Sequence, residues 1–224
     1  MFQVDEAEAE ARAGLEVLTG VLRIRSIMGA GSRLLMPAIA NCRKKHPQVR
    51  FDLSAGKRMP NFIEEDIDLA ILIADHLEDS ANVCQRLGVV SSILCASPDY
   101  VERFGSPRTP GEILKHESLL LGTPDNAFNR WRFSVDDKDQ QTSCRMAHME
   151  VDTLDDLMSA LEAGMGVGML PECIANKAIT QGSLTRILPE YTSDLTVYAV
   201  YPSKRYLDPK VKALIDCTRS LLSQ

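Results

Sequence analysis

An α/β fold is predicted from three stretches in which strand and helix patterns occur in turn along the chain. In residues 21–53, Leu22, Ile24 and Ser26 alternate with Arg23 and Arg25 as in a half-buried strand. Leu34, Leu35, Ala38, Ile39 and Cys42 then recur at helical spacing, before a second strand, RFDL. DIDLAILIA at 66–74 is a near-continuous apolar run, as a strand buried on both faces requires. After Asp152 comes the clearest helix of the chain, followed by the short strand GVGMLP.

Each element has a local reason. Residues 4–18 are rich in Ala, Glu and Leu and favour helix. Their apolar stripe is thin and Gly14 weakens it, so the segment reads as the tail of a longer linker or coiled-coil helix. Between the first strand and its helix lies the turn IMGAGS, where Gly29 and Gly31 let the backbone bend tightly. A helix opening at Ser32 aims unpaired N–H groups and a positive dipole end back at the strand's C-terminal edge. In an open α/β sheet that edge is where ligands bind.

Residues 61–65 predict a short helix, 83–98 a long β-type stretch, and 98–104 a short helix ended by Gly105. Pro107 and Pro110 mark a loop, and GEILKHESLLL reads as a short helix running into a strand. From Trp131 to Val151 the pattern is β, with a polar hairpin at 136–141. Asp152 or Thr153 caps the next helix. Asp155 and Asp156 occupy its first turn, Leu154, Leu157, Met158 and Leu161 form its stripe, and Gly164 stops it. A helix through Ala178, a turn at Gly182, the strands LTRIL and LTVYAVYP, and a helix over 209–222 complete the chain.

Composition narrows the function. The net charge is −6, and five acidic residues against Arg12 in residues 1–18 supply most of it, so no basic face for nucleic acid is evident. No apolar run approaches the ~20 residues that span a bilayer, and the acidic N-terminus is unlike a secretory signal, so the chain reads as cytoplasmic. Cys42, Cys84, Cys95, Cys144, Cys173 and Cys217 form no CxxC pair, which indicates neither a zinc site nor a dithiol motif. Most read as small buried hydrophobes.

The pieces GVLRIRS, the MP of LLMPAIANCRKKHPQV, DIDLAILIA, ASPDYVERFGSP, HESL, WRF, LEAGMGVGMLPE, GSLTRILPE and VYAVYPSKRYLDPKVKALIDC occur in this order over nearly all of residues 4–222. Together they resemble the effector-binding domain of LysR-type transcriptional regulators. The resemblance implies a two-lobed periplasmic-binding-protein-like (type 2) fold, each lobe a mixed sheet flanked by helices, crossed by two hinge strands. Residues 1–19 are then the tail of a linker helix, 20–91 and 196–224 the first lobe, and 92–195 the second. The hinges fall at the polar interruptions Ser91-Ser92 and Thr192-Ser193-Asp194. The family pattern places a winged helix-turn-helix domain before the linker helix, so the chain reads as an engineered fragment, with Met1 as an added start, that lacks the DNA-reading half. Where family members often carry Arg in the DLAI strand, Leu72 stands here.

The effector site implied by the resemblance comprises the turn Ile27, Met28, Gly29, Ala30, Gly31 and Ser32, faced from the second lobe by Asp152 and Thr153. Ser97 matches a position near the hinge, and His76, just past DLAILIA, reaches the same sheet edge. Helix capping alone equally explains Asp152 and Thr153, and turn formation equally explains Ser97. His46, His116 and Trp131 read as structural.

No enzyme is indicated: there is no GxSxG elbow and no P-loop, and the GMGVGM run follows a helix where a dinucleotide fingerprint follows a strand. Neither cofactor nor metal is expected. The expected partners are a small organic effector, partly apolar or aromatic, a second copy in a homodimer or homotetramer, and promoter DNA only through the missing domain. Two further readings stay open, a solute-binding protein for transport and a thiol-based redox sensor of the same family. The second turns on whether two cysteines approach within disulfide range.

Overall fold

The computed structural model describes residues 17–27, 34–74, 82–122, 130–135, 138–143, 148–203 and 207–223. In chain order the elements are β1 (Gly20–Ile27), α1 (Met36–Lys45), β2 (Val49–Gly56), β3 (Leu69–Ala74), β4 (Val83–Ala96), α2 (Pro98–Phe104) and a 3-10 helix (Pro110–Lys115). There follow β5 (Ser118–Leu121), β6 (Arg130–Val135), β7 (Lys138–Ser143), β8 (Met149–Val151), α3 (Leu154–Glu162) and β9 (Val167–Pro171). Last come α4 (Glu172–Gln181), β10 (Thr185–Arg186), β11 (Ser193–Tyr201) and α5 (Pro209–Leu222).

One sheet runs in the order β2-β1-β3-β11-β4-β9-β5-β8, with β10 on β4 and the hairpin β6-β7 separate. β4 is long enough to serve both ends. Val83 to Ser92 pair antiparallel with β11, and Ser92 to Ala96 pair with β9 and β10. The sheet is therefore two halves joined where Ser91 and Ser92 lie opposite Asp194 and Ser193, and there Ser91 Oγ donates to Asp194 Oδ1 at 2.6 Å.

Each half carries its own cores. In the first, Leu22, Ile24, Ile71 and Val197 pack under Leu35, which precedes α1, and Leu214 and Ile215 of α5, while Ile27, Phe62, Leu72 and Val200 pack on the opposite face. In the second, Ile93, Leu119 and Leu170 meet Leu157 and Leu161 of α3, and Leu94 and Val167 meet Tyr100, Ile113, Trp131 and Phe133. Leu72 is 6% exposed within its apolar cluster, which accounts for an aliphatic residue at this point of the strand.

The helix predicted at 61–65 is a single turn, closed by Glu65 N–H donating to Asn61 O at 2.9 Å and ended by Asp66 at φ 51°. Residues 138–141, expected in the loop of the polar hairpin, are paired in β7, and β8 is a separate strand parallel to β5. Of LTRIL, Thr185 and Arg186 form the short ladder of β10 and Ile187 N–H donates to Leu94 O at 2.9 Å, before Leu188 at φ 49° turns the chain away. The helix predicted through Ala178 runs on to Gln181, where Gly182 at φ 78° accepts the left-handed geometry that ends it.

Candidate functional site

Direction along the strands places the site. β1, β2 and β3 are mutually parallel, as are β5, β8 and β9, whereas β9 runs antiparallel to β4. Pro171, at the end of β9, lies opposite Ser92, which itself lies opposite Ser193. The C-terminal edge of the first half, ending at Ile27, Gly56 and Ala74, therefore faces that of the second half, ending at Leu121, Val151 and Pro171. Crevices outside such edges are the usual ligand sites of α/β sheets.

A contact bridges the crevice. Lys57 follows the last residue of β2 and Asp152 the last residue of β8, and their side chains form an ion pair, Nζ to Oδ1, with both partners about half exposed. The loop bearing Lys57 is held down from β1. Arg25 donates to Ser54 Oγ at 2.9 Å and to Glu65 Oε2 at 2.7 Å, and Arg23 pairs with Asp66 at 3.3 Å. A Cβ on Gly56 would lie 2.9 Å from Arg25 Nη1, so a larger residue here would displace that guanidinium.

The expected site residues divide into three groups. Ile27 ends β1 beside Gly56 and is 4% exposed, so its backbone rather than its side chain borders the crevice. Met28, Gly29, Ala30, Gly31, Ser32 and His76 lie outside the described residues. Thr153 caps α3, its Oγ1 accepting from Asp156 N at 3.1 Å and donating to Asp156 Oδ2 at 2.7 Å. Asp155 and Asp156 already offset the positive end of that helix, so its terminus offers an anion little.

Ser97 stands apart from the crevice. It lies beyond the end of β4 where Cys95 and Ala96 pair with Gly168 and Thr185, five residues from the junction at Ser92. It is 3% exposed and its Oγ accepts from Tyr100 N at 3.1 Å, the cap of α2. Lys57 was missed by the sequence reading. The signal was its place after Gly56, one step past a strand end that the topology puts on the ligand edge.

Other polar groups serve structure. Tyr100 Oη and His116 Nδ1 share a hydrogen bond of 3.2 Å, and burial lowers the His116 pKa. Trp131 is 4% exposed and meets Phe133 edge-on. Cys42 and Cys217 touch across α1 and α5, yet burial, reinforced by Cys217, pushes the Cys42 thiol up to about 12. Cys95 is likewise pushed to about 12 by burial. Such thiols are scarcely ionised at neutral pH, the opposite of what a peroxide-sensing cysteine needs. Cys144 lies outside the described residues. No described helix is long and apolar enough to cross a membrane.

Comparison with known proteins identifies the family and the fold. Residues 16–223 match the family described as LysR substrate binding domain. An uncharacterised HTH-type transcriptional regulator of Haemophilus influenzae is 30% identical over 96% of this chain and 74% of its own length. The HTH-type transcriptional regulator CrgA of Neisseria meningitidis is 29% identical over 94% of this chain and 70% of its own. The solved CrgA regulatory domain superposes with TM-score 0.77 at 26% identity, covering 92% of this chain and all of that one. Full-length CrgA superposes with TM-score 0.80, also at 26% identity, over 99% of this chain and 75% of that one. The two sheet halves joined through β4 and β11 are the lobes of a periplasmic-binding-protein-like fold, and the chain belongs to the LysR substrate-binding domain family.

Proposed function

We propose that this chain is the ligand-sensing regulatory part of a LysR-type transcription factor. A small organic effector enters the crevice between the lobes, changes their closure, and so changes how a winged helix-turn-helix domain N-terminal to this chain holds promoter DNA. The first lobe comprises residues 20–91 and 196–224 and the second 92–195. The protein acts in the cytoplasm as a homodimer or homotetramer, contacts DNA through that other domain, and carries out no chemistry. The observation that carries the reading is the Lys57–Asp152 pair, which ties the ligand edge of one lobe to that of the other. Any molecule seated between the edges has to part or exploit it. Transport is disfavoured because the relatives are transcriptional regulators.

A thermal-shift screen of metabolites tests this. An effector at a hundred times its Kd stabilises the folded state by about 2.7 kcal/mol, which in a chain of this size raises Tm by roughly 5–10 °C. Lys57→Ala and Asp152→Ala should each change the concentration needed for that shift. Identical dose curves in both variants would move the effector away from this crevice.

A further inference from the structure

We propose that the hinge carries a second small-molecule site, distinct from the Lys57–Asp152 crevice, which takes a hydrophobic carboxylic acid. A cavity of about 880 Å³ opens on the α1/α5 face of the first lobe's sheet, where that face meets the second lobe. Ile71, Val90 and Val197 form its floor, the start of α1 and the end of α5 form two walls, and α4 closes it from the far side of the hinge. Its volume falls within the range of small-molecule pockets, and a floor with three helical walls suits a compact ligand better than a protein segment.

The chemistry of the ligand follows from which lining groups have hydrogen bonds to give. Ser91 is committed to Asp194 at 2.6 Å, Thr218 Oγ1 donates to Leu214 O at 2.7 Å, and Glu172 pairs with Arg186 at 3.5 Å. The rest of the floor and two walls is aliphatic, so water inside finds few partners and an aromatic or branched apolar body displaces it favourably. On the α4 side stand Cys173, Asn176 and Lys177, and Lys177 makes no ion pair among the described residues. One cation beside apolar walls selects a single carboxylate on an apolar frame.

The position gives the site a role. α4 packs its inner face, Ile174, Ala175 and Ala178, into the second lobe's core, whereas every other wall belongs to the first lobe or the shared strand β4. An occupant touches both lobes and biases their relative setting, as the crevice effector does from the ligand edge.

Fluorescence titration of the whole chain with anilinonaphthalene sulfonate, an aromatic acid that brightens in apolar sites, tests the proposal, with naphthoate and neutral naphthalenemethanol as competitors. The expected result is one probe per chain, displaced by naphthoate. Cys173→Trp on the exposed side of α4 and Val89→Trp on β4 fill the cavity from two different elements. Each should weaken the probe about tenfold or more, while Lys57→Ala leaves it within about twofold. Lys177→Ala should weaken naphthoate about fivefold and naphthalenemethanol hardly at all. Full probe affinity in both tryptophan variants, or one probe per two chains, would overturn the site. Equal loss of both competitors in Lys177→Ala would overturn the carboxylate assignment.

Discussion

Replacing Ser97 by alanine separates two roles that a serine after a strand can have. Its Oγ accepts from Tyr100 N at 3.1 Å inside a site where the residue is only 3% exposed, so the variant strands a buried N–H at the start of α2. Lost N-caps cost about 0.5–2 kcal/mol, and the depth of this one places it in the upper half, about 1–2 kcal/mol. In a chain of this size that lowers Tm by roughly 2–8 °C. Urea unfolding followed by tryptophan fluorescence suits the measurement, because Trp131 is the chain's single tryptophan and shares a core cluster with Tyr100. Glycine at the same position should cost only a few tenths of a kcal/mol relative to serine. Effector affinity should stay unchanged in the folded variant, since Ser97 lies at the edge opposite the crevice. A stability loss below about 0.3 kcal/mol together with a tenfold loss of affinity would refute the capping account and return Ser97 to the ligand.

A double-mutant cycle on Lys57 and Asp152 should give a coupling of about 0.2–1 kcal/mol that shrinks between low and high salt, as for other exposed pairs; a coupling insensitive to salt would contradict the contact as described. His116 has its pKa lowered from 6.5 mainly by burial, so the folded state resists the proton that the unfolded state accepts. Stability from this residue is complete above pH 6.5 and declines as pH falls through 6.5 toward the lowered value, and His116→Gln should flatten the decline in acid-unfolding curves. Cys42 and Cys217 should react with a thiol reagent only after denaturant is added, and mass spectrometry after mild peroxide should find no disulfide between them; rapid oxidation in the native state would restore the redox reading. The chain alone, at net charge −6, should give no gel shift with promoter DNA at physiological salt.

Much of the fold was legible because its signals are local. Period-2 alternation in VLRIRS, the apolar run of DIDLAILIA, the capped and striped helix after Thr153 and the Pro209 start of α5 each follow from a handful of neighbouring residues; β1, α3 and α5 appear where those signals put them, and β3 starts at Leu69, three residues into its run. The two sheet halves meet where Ser91 and Ser92 lie opposite Asp194 and Ser193, polar residues that interrupt otherwise apolar strands. The misses arose where a long-range partner overrode the local pattern. Residues 138–141 are as polar as a loop, yet pair with β6, and LTRIL has the alternation of a strand but reaches β4 only as far as Ile187.

Which residues share a site was a tertiary decision. Sequence alone determined the α/β class, the family resemblance and the position of the strongly patterned elements, because propensity, capping and periodicity act within a few residues. The closing of Lys57 on Asp152, separated by nearly a hundred residues, required the parallel strands of each half to run so that their C-terminal edges confront each other across Ser92 and Ser193. The same topology sends Ser97 to the far end of β4, where its hydroxyl is consumed by a cap, and brings Cys42 against Cys217 from opposite ends of the first lobe. Strand order and direction are properties of the whole sheet, set by how two sets of apolar faces bury together, and no window of neighbouring residues contains them.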